Sequence, residues 1–268
     1  MVLKENRKRA DRVSIVHGRF EMWARSLRGY PQPEHAMEYR RIVYEETCLR
    51  CGIFDRQVAP FRFKKSGRSS PSGLTQLNWV FDAFFLPPAI AEEVLKAGIT
   101  GVSIGPALDH GTGAELTDRV QLLLPTIIAC AETSRLPTVT CRPENEEVVA
   151  LRARFAEQKS LSEQRNMCHL SPALEEKLRT ERERFAALPY CGRLKHHAPT
   201  SLALIGNILA ENTPDLFQTA EWFGSGGSAF RLTIASERFI SLIRQRRWKG
   251  FVFHRVNQSG WSERTSKS

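Results

Sequence analysis

The side chains best suited to chemistry in this 268-residue chain are its sulfurs. Cys48-Leu-Arg-Cys51-Gly52 puts two thiols three positions apart, where both can face one metal ion. The glycine lets the backbone turn sharply behind the second thiol. Such a knuckle supplies half of the ligand set that tetrahedral zinc takes. Candidates for the other half are Cys130, Cys141, Cys168, Cys191, His169, His196 and His197. Tyr190-Cys191-Gly192-Arg193 repeats the thiol–glycine step, but Leu188 stands where its first cysteine would be. Cys141 has the opposite defect, with Glu144 in the partner position.

If residues 144–187 are inserted inside a second knuckle, Cys141 and Cys191 meet. The preferred site is therefore Cys48, Cys51, Cys141 and Cys191 around a structural zinc ion. Two alternatives stay open: Cys48, Cys51 and Cys191 with His196, or an empty site whose thiols are buried as small hydrophobes. Cys130 lies in an apolar run and reads as core, and Cys168 as a bystander.

The sequence is thin on catalytic patterns. The chain holds no H-E-x-x-H, no G-x-x-x-x-G-K-[ST] and no deaminase signature. F-G-S-G-G-S-A-F-R (residues 223–231) lacks the phosphate-loop lysine and leads into an apparent strand, which indicates a glycine hairpin or bulge. His110 and the His196–His197 pair have no neighbouring nucleophile or acid to complete a triad. The sequence reads as non-enzymatic.

The elements that must position the thiols form an expected α+β fold. It is a mixed sheet built from two similar strand-helix-strand units, with a zinc-ribbon-like knuckle region (48–52 and 141–192) and a helical insertion (144–187). The units are residues 87–104 and 234–253, which match at a shift of 149: Ile90 with Phe239, Val94 with Ile243, Gly101 with Gly250, Ile104 with Phe253. Residues 37–44 alternate and read as a strand, as do residues 58–64, and residues 105–113 read as a loop. Residues 76–86 are core, with Asn78 and Asp82 bonding to backbone or capping turns. Ser171 and Pro172 mark a helix start. A single domain is expected over residues 37–256, with residues 1–36 a disordered or appended segment and residues 257–268 a flexible tail.

The net charge of +10 is concentrated at the two ends, which reads as solvated tails more than as a nucleic-acid surface. No apolar run is long enough to span a bilayer. Thiols not framed as disulfides fit a cytoplasmic protein.

Taken in order, C-L-R-C-G, Q-L-N-W-V-F-D-A-F-F, Y-C-G-R, F-G-S-G-G-S-A-F-R and the closing S-E-R-F…W-K-G-F-V-F resemble the double-CxxCG motif proteins. Those are bacterial proteins, part of which serve as immunity proteins to polymorphic toxins. The likeness covers residues 37–256, with the second CxxCG incomplete. It implies a cytoplasmic, non-enzymatic immunity protein whose partner is a cognate protein toxin. Residues 105–117 and 144–187 are then plausible contact surfaces. The competing expectation is a zinc-ribbon nucleic-acid-binding protein that uses its basic ends.

Overall fold

The computed structural model describes residues 18–34, 37–64, 73–143, 171–199, 202–204 and 212–258. Strands β1 (Arg19–Ala24) and β2 (Ser26–Leu27) precede helix α1 (Tyr39–Val43), strands β3 (Arg62–Phe63), β4 (Thr75–Gln76) and β5 (Phe84–Leu86), and helix α2 (Pro88–Lys96). Next come β6 (Ser103–Asp109), β7 (Glu115–Leu123), β8 (Ile127–Ile128), β9 (Thr138–Thr140) and helix α3 (Pro172–Ala186). Then follow β10 (Leu194–His196), β11 (Ala203–Leu204), β12 (Leu216–Thr219) and β13 (Thr233–Ser236). Helix α4 (Glu237–Arg246), β14 (Phe251–Arg255) and β15 (Asn257–Gln258) close the described chain. The class is α+β, but the main strands form two mixed sheets where one was expected. Five strands run β14-β1-β13-β12-β8 and six run β2-β4-β5-β7-β6-β3.

The two sheets share one set of registers. In the larger, β7 lies between β5 and β6, and Val120 stands opposite Leu86 and Pro106. In the smaller, β1 lies between β13 and β14, and Phe20 stands opposite Ala235 and Arg255, the same two positions moved on by 149. The correspondence extends outward. Thr75 opposite Phe85 is matched by Phe217 opposite Ile234, and the parallel pair Leu27–Gln76 by Ile127–Gln218. Arg62–Leu108 is likewise matched by Ala203–Asn257. Each half thus lends a strand to the other's sheet: β1 goes to the C-terminal half and β7 comes back. One core buries Ile90 and Val94 of α2 together with Phe239 and Ile243 of α4, and with Met22 and Leu122 of the exchanged strands.

Where β6 and β14 begin, the backbone comes very close to a neighbouring strand. Leu216 N donates to Thr100 O and Leu74 N donates to Lys249 O, at 3.1 and 3.0 Å. Gly101 and Gly250 follow at φ of +78° and +88°. A Cβ on Gly101 would lie 1.9 Å from Leu216 O, and one on Gly250 2.4 Å from Leu74 O. Gly101→Ala and Gly250→Ala are each expected to cost about 2–4 kcal/mol through backbone strain and displacement. The cost should show as a lower urea midpoint at unchanged slope.

Several expectations are corrected. Residues 18–34 are not an appendage: β1 sits inside a sheet, with Met22 fully buried. The expected strand at residues 37–44 is helix α1, which buries Tyr39, Arg40 and Val43 at helical spacing. The alternation misled because Arg40, a charged residue, is inside, donating to Gly52 O and lying over the Phe54 ring. Residues 105–109 continue β6, and the turn occupies residues 110–113. In the stretch read as a strand over residues 58–64, pairing is confined to β3, and the one read from residue 99 starts at Ser103. Asn257–Gln258 pairs with β11, so the tail cannot begin at residue 257. The 144–170 part of the expected insertion, with Cys168 and His169, lies outside the described residues, as do residues 1–17, 65–72 and 259–268. Asn78 donates to Gly29 O, and Phe223 and Phe230 pair across the glycine hairpin, both as expected.

Candidate metal centre

The first knuckle follows α1 and is shaped by its own backbone. Gly52 N donates to Cys48 O at 2.8 Å and Cys48 N to Ile53 O at 2.9 Å. The second site repeats both bonds with other residues: Gly192 N donates to Cys141 O and Cys141 N to Arg193 O, each at 2.9 Å. Gly52 and Gly192 hold φ of +82° and +72°. Cys141 and Cys191, 50 positions apart, therefore reproduce the turn that Cys48 and Cys51 make three positions apart. The chain between them runs through α3.

The structure brings the four preferred thiols together. Their sulfurs all lie within 4.8 Å of one another. Cys48 Sγ is 3.8 Å from Cys141 Sγ, and Cys51 Sγ is 3.6 Å from Cys191 Sγ. Sulfurs bound tetrahedrally at about 2.3 Å from one ion stand about 3.8 Å apart, so the spacing fits a shared metal. Neither pair is a disulfide, and three of the four residues are buried, with Cys191 exposed.

Two cations face the cluster. Lys195 is fully buried, and its Nζ donates to Cys51 O (2.8 Å), Gly226 O (2.5 Å) and Ser228 O (2.9 Å). It ties the knuckle to the glycine hairpin. Burial lowers its pKa, while the nearby thiols pull it up. Arg193 bonds Asp55 Oδ1 at 2.7 Å and Ile53 O at 3.2 Å, and its guanidinium reaches Cys191. A dication held by four thiolates carries a net charge of about −2, which these cations offset. Burial pushes the Cys51 and Cys141 thiols up. Cys191 is drawn down to about 7: burial raises it, but the Arg193 N–H and guanidinium and the adjoining thiols outweigh that. The cluster thus favours one thiolate before any metal enters. Charged residues at buried positions carried no signal in hydropathy, and Arg40 and Lys195 were missed for that reason, while half-buried Arg193 read as an ordinary surface residue.

His196, the alternative ligand, is outside the cluster among the described residues. It is buried on β10, 6.0 Å from the Phe223 ring, and burial lowers its pKa. Cys130 is fully buried in a separate apolar cluster, its thiol pushed up to about 12 chiefly by burial. His110 and His197 are exposed.

Behind the centre lies a cavity of about 390 Å³ lined by Tyr44, Phe54, Gln57, Asp82, Gln121 and Arg231 among others. Asp82 and Arg231, 149 positions apart, meet there, with Arg231 N donating to Asp82 Oδ2 at 3.3 Å. The corresponding rings Phe81 and Phe230 meet beside them, with centroids 5.4 Å apart. Burial raises the Asp82 carboxyl to about 6, against the pull of Arg40 and Arg231. A raised carboxyl pKa means that the folded chain binds the proton more tightly than the unfolded one. Its contribution is complete below the unfolded value of about 4. It is lost as pH rises through about 6. Asp82→Asn should therefore flatten the decline in stability across that window, measured as urea midpoints at about pH 4.5 and about pH 7.

No family model matches the chain, and no curated protein matches it. Among the described residues, no helix is long and apolar enough to cross a membrane.

Proposed function

We propose that this is a non-enzymatic immunity protein that binds and neutralises a cognate bacterial toxin in the cytoplasm, and that zinc at Cys48, Cys51, Cys141 and Cys191 holds its two halves together. The observation that carries the reading is the convergence of one knuckle from each half on a single point. Four protein sulfurs fill a tetrahedral shell and leave no position for water or substrate, the arrangement of a structural ion. Soft thiolate donors in that geometry select zinc over the harder divalent cations. The matched registers support reading the chain as two copies of one unit, and the second CxxCG as a knuckle opened by an insertion. The likeness of motif order to the double-CxxCG proteins supplies the link to toxin neutralisation.

The experiment is co-expression. A toxin-like reading frame next to this gene should arrest growth when expressed alone, and this chain should restore growth and co-purify with the toxin. Unrelieved arrest, or relief without a complex, sinks the proposal. The competing nucleic-acid reading draws on exposed Arg25, Arg28, Arg247 and Lys249, two of which flank the Arg25 N–Gly250 O contact. Salt-dependent DNA binding abolished by Arg247→Ala with Lys249→Ala would favour it.

A further inference from the structure

Helix α3 presents every described side chain to solvent. Its sequence mixes acids and bases, and the ion pair Arg179–Glu176 lies on its surface. A helix of 15 residues is marginal in water by itself, so the ties at its ends bear on whether it stays in place. The C-terminal end is held by one residue of the opposite knuckle. Arg50, between Cys48 and Cys51, donates through Nη2 to Phe185 O (3.0 Å), Ala186 O (2.8 Å) and Leu188 O (2.7 Å). Its Nε also donates to Leu188 O at 3.1 Å. The guanidinium lies over the Tyr190 ring at 3.9 Å and the Phe185 ring at 5.0 Å. The last carbonyls of a helix have no partner within it and carry the negative end of its dipole, so a cation there is well placed. A second tie joins Arg184 to Glu38, just ahead of α1.

We propose that Arg50 is a latch that makes the position of α3 depend on metal at the four thiols. The helix leads through residues 187–190 into Cys191, so one tie to the centre is covalent. Arg50 supplies the other from the knuckle of Cys48 and Cys51. An ion shared by the two knuckles fixes the separation between the Arg50 backbone and Cys191, and so keeps the guanidinium under the helix end. Without the ion the knuckles part and the latch has nothing to close on. The exposed surface of α3 is thus displayed in one orientation only by the metal-loaded protein. This inference does not rest on the identity of any partner.

The test is amide hydrogen exchange over residues 173–188 in the full chain, with zinc content measured on the same samples. In zinc-loaded wild type these amides should be protected, and chelation should speed their exchange by about tenfold or more. Arg50→Ala should retain one zinc per chain and show a similar gain in exchange. Arg50→Lys, which keeps the charge but not the planar fork, should fall between. Phe185→Leu with Tyr190→Leu leaves every ligand and Arg50 in place and should speed exchange by about threefold. That variant decides the matter if Arg50→Ala loses its metal. Wild-type protection in zinc-loaded Arg50→Ala, or in the double variant where Arg50→Ala fails to hold zinc, overturns the latch. Protection that survives removal of the metal overturns the coupling. A failed toxin rescue leaves either result standing.

Discussion

Cys141→Ser is expected to release the metal and lower the melting temperature by about 10 °C or more. The magnitude follows from what a structural tetrathiolate ion contributes. Such ions supply about 10–16 kcal/mol of apparent binding energy in small zinc domains, which equals or exceeds the roughly 5–15 kcal/mol that usually separates folded from unfolded chains. Here a large core shares the load, so loss of a ligand should remove several kcal/mol rather than all stability. In a chain of this length about 1 kcal/mol moves the midpoint by roughly 2–4 °C. The measurement is metal content by plasma mass spectrometry beside a calorimetric melt. Cys130→Ala is the control. That thiol lies in a separate apolar cluster, so the variant should keep one ion per chain despite a modest packing loss. Cys48→Ser combined with Cys141→Ser should cost little more than either alone, because the first substitution already removes what the second would. Acid should act in the same direction, since thiolates must be deprotonated to bind. A Cys141→Ser protein that keeps its metal and melts within about 2 °C of wild type would exclude a site shared by the two halves.

What could be read from the sequence divides along the distance over which each signal acts. C-L-R-C-G was legible because ligand, spacing and turn residue fall within five positions. The second pair was legible only as a conjecture, because 50 positions separate Cys141 from Cys191 and the backbone bonds that unite them leave no mark in composition. The helix-strand likeness at a shift of 149 was visible since no insertion interrupts it. The rest of the correspondence was hidden by unequal loops: Val120 answers to Phe20, and Gln218 to Gln76, at other offsets. Charge concealed the remainder. Arg19, Arg40 and Lys195 are buried, each satisfied by carbonyl oxygens, and hydropathy scores such residues as surface. Strand β1 was lost in this way, because Arg19 and Glu21 made residues 18–24 look like a polar leader.

Removal of residues 1–36 is accordingly expected to abolish folding, not to trim a loose end. Strand β1 is paired on both sides, to β13 and β14, so its loss strips backbone partners from two strands at once. It also takes away Met22 from the shared core, and Arg19, whose Nη1 donates to Pro214 O at 2.8 Å and whose guanidinium lies over the Phe217 ring. Burying Met22 alone is worth about 2–5 kcal/mol by the usual cost of truncation to alanine, and Leu122 on the reciprocal strand should show a similar cost. A chain beginning at Met37 should therefore have no cooperative melt and take up no metal, because the two halves that carry the knuckles no longer hold each other in register. A synthetic peptide of residues 18–34 added in trans should restore metal uptake, as its pairing edges and its buried side chains are what the truncated protein lacks. A Met37-start protein that melts cooperatively with one bound ion would mean that the exchanged strand is dispensable. The thiols would then have to be brought together by the elements after residue 36 without β1.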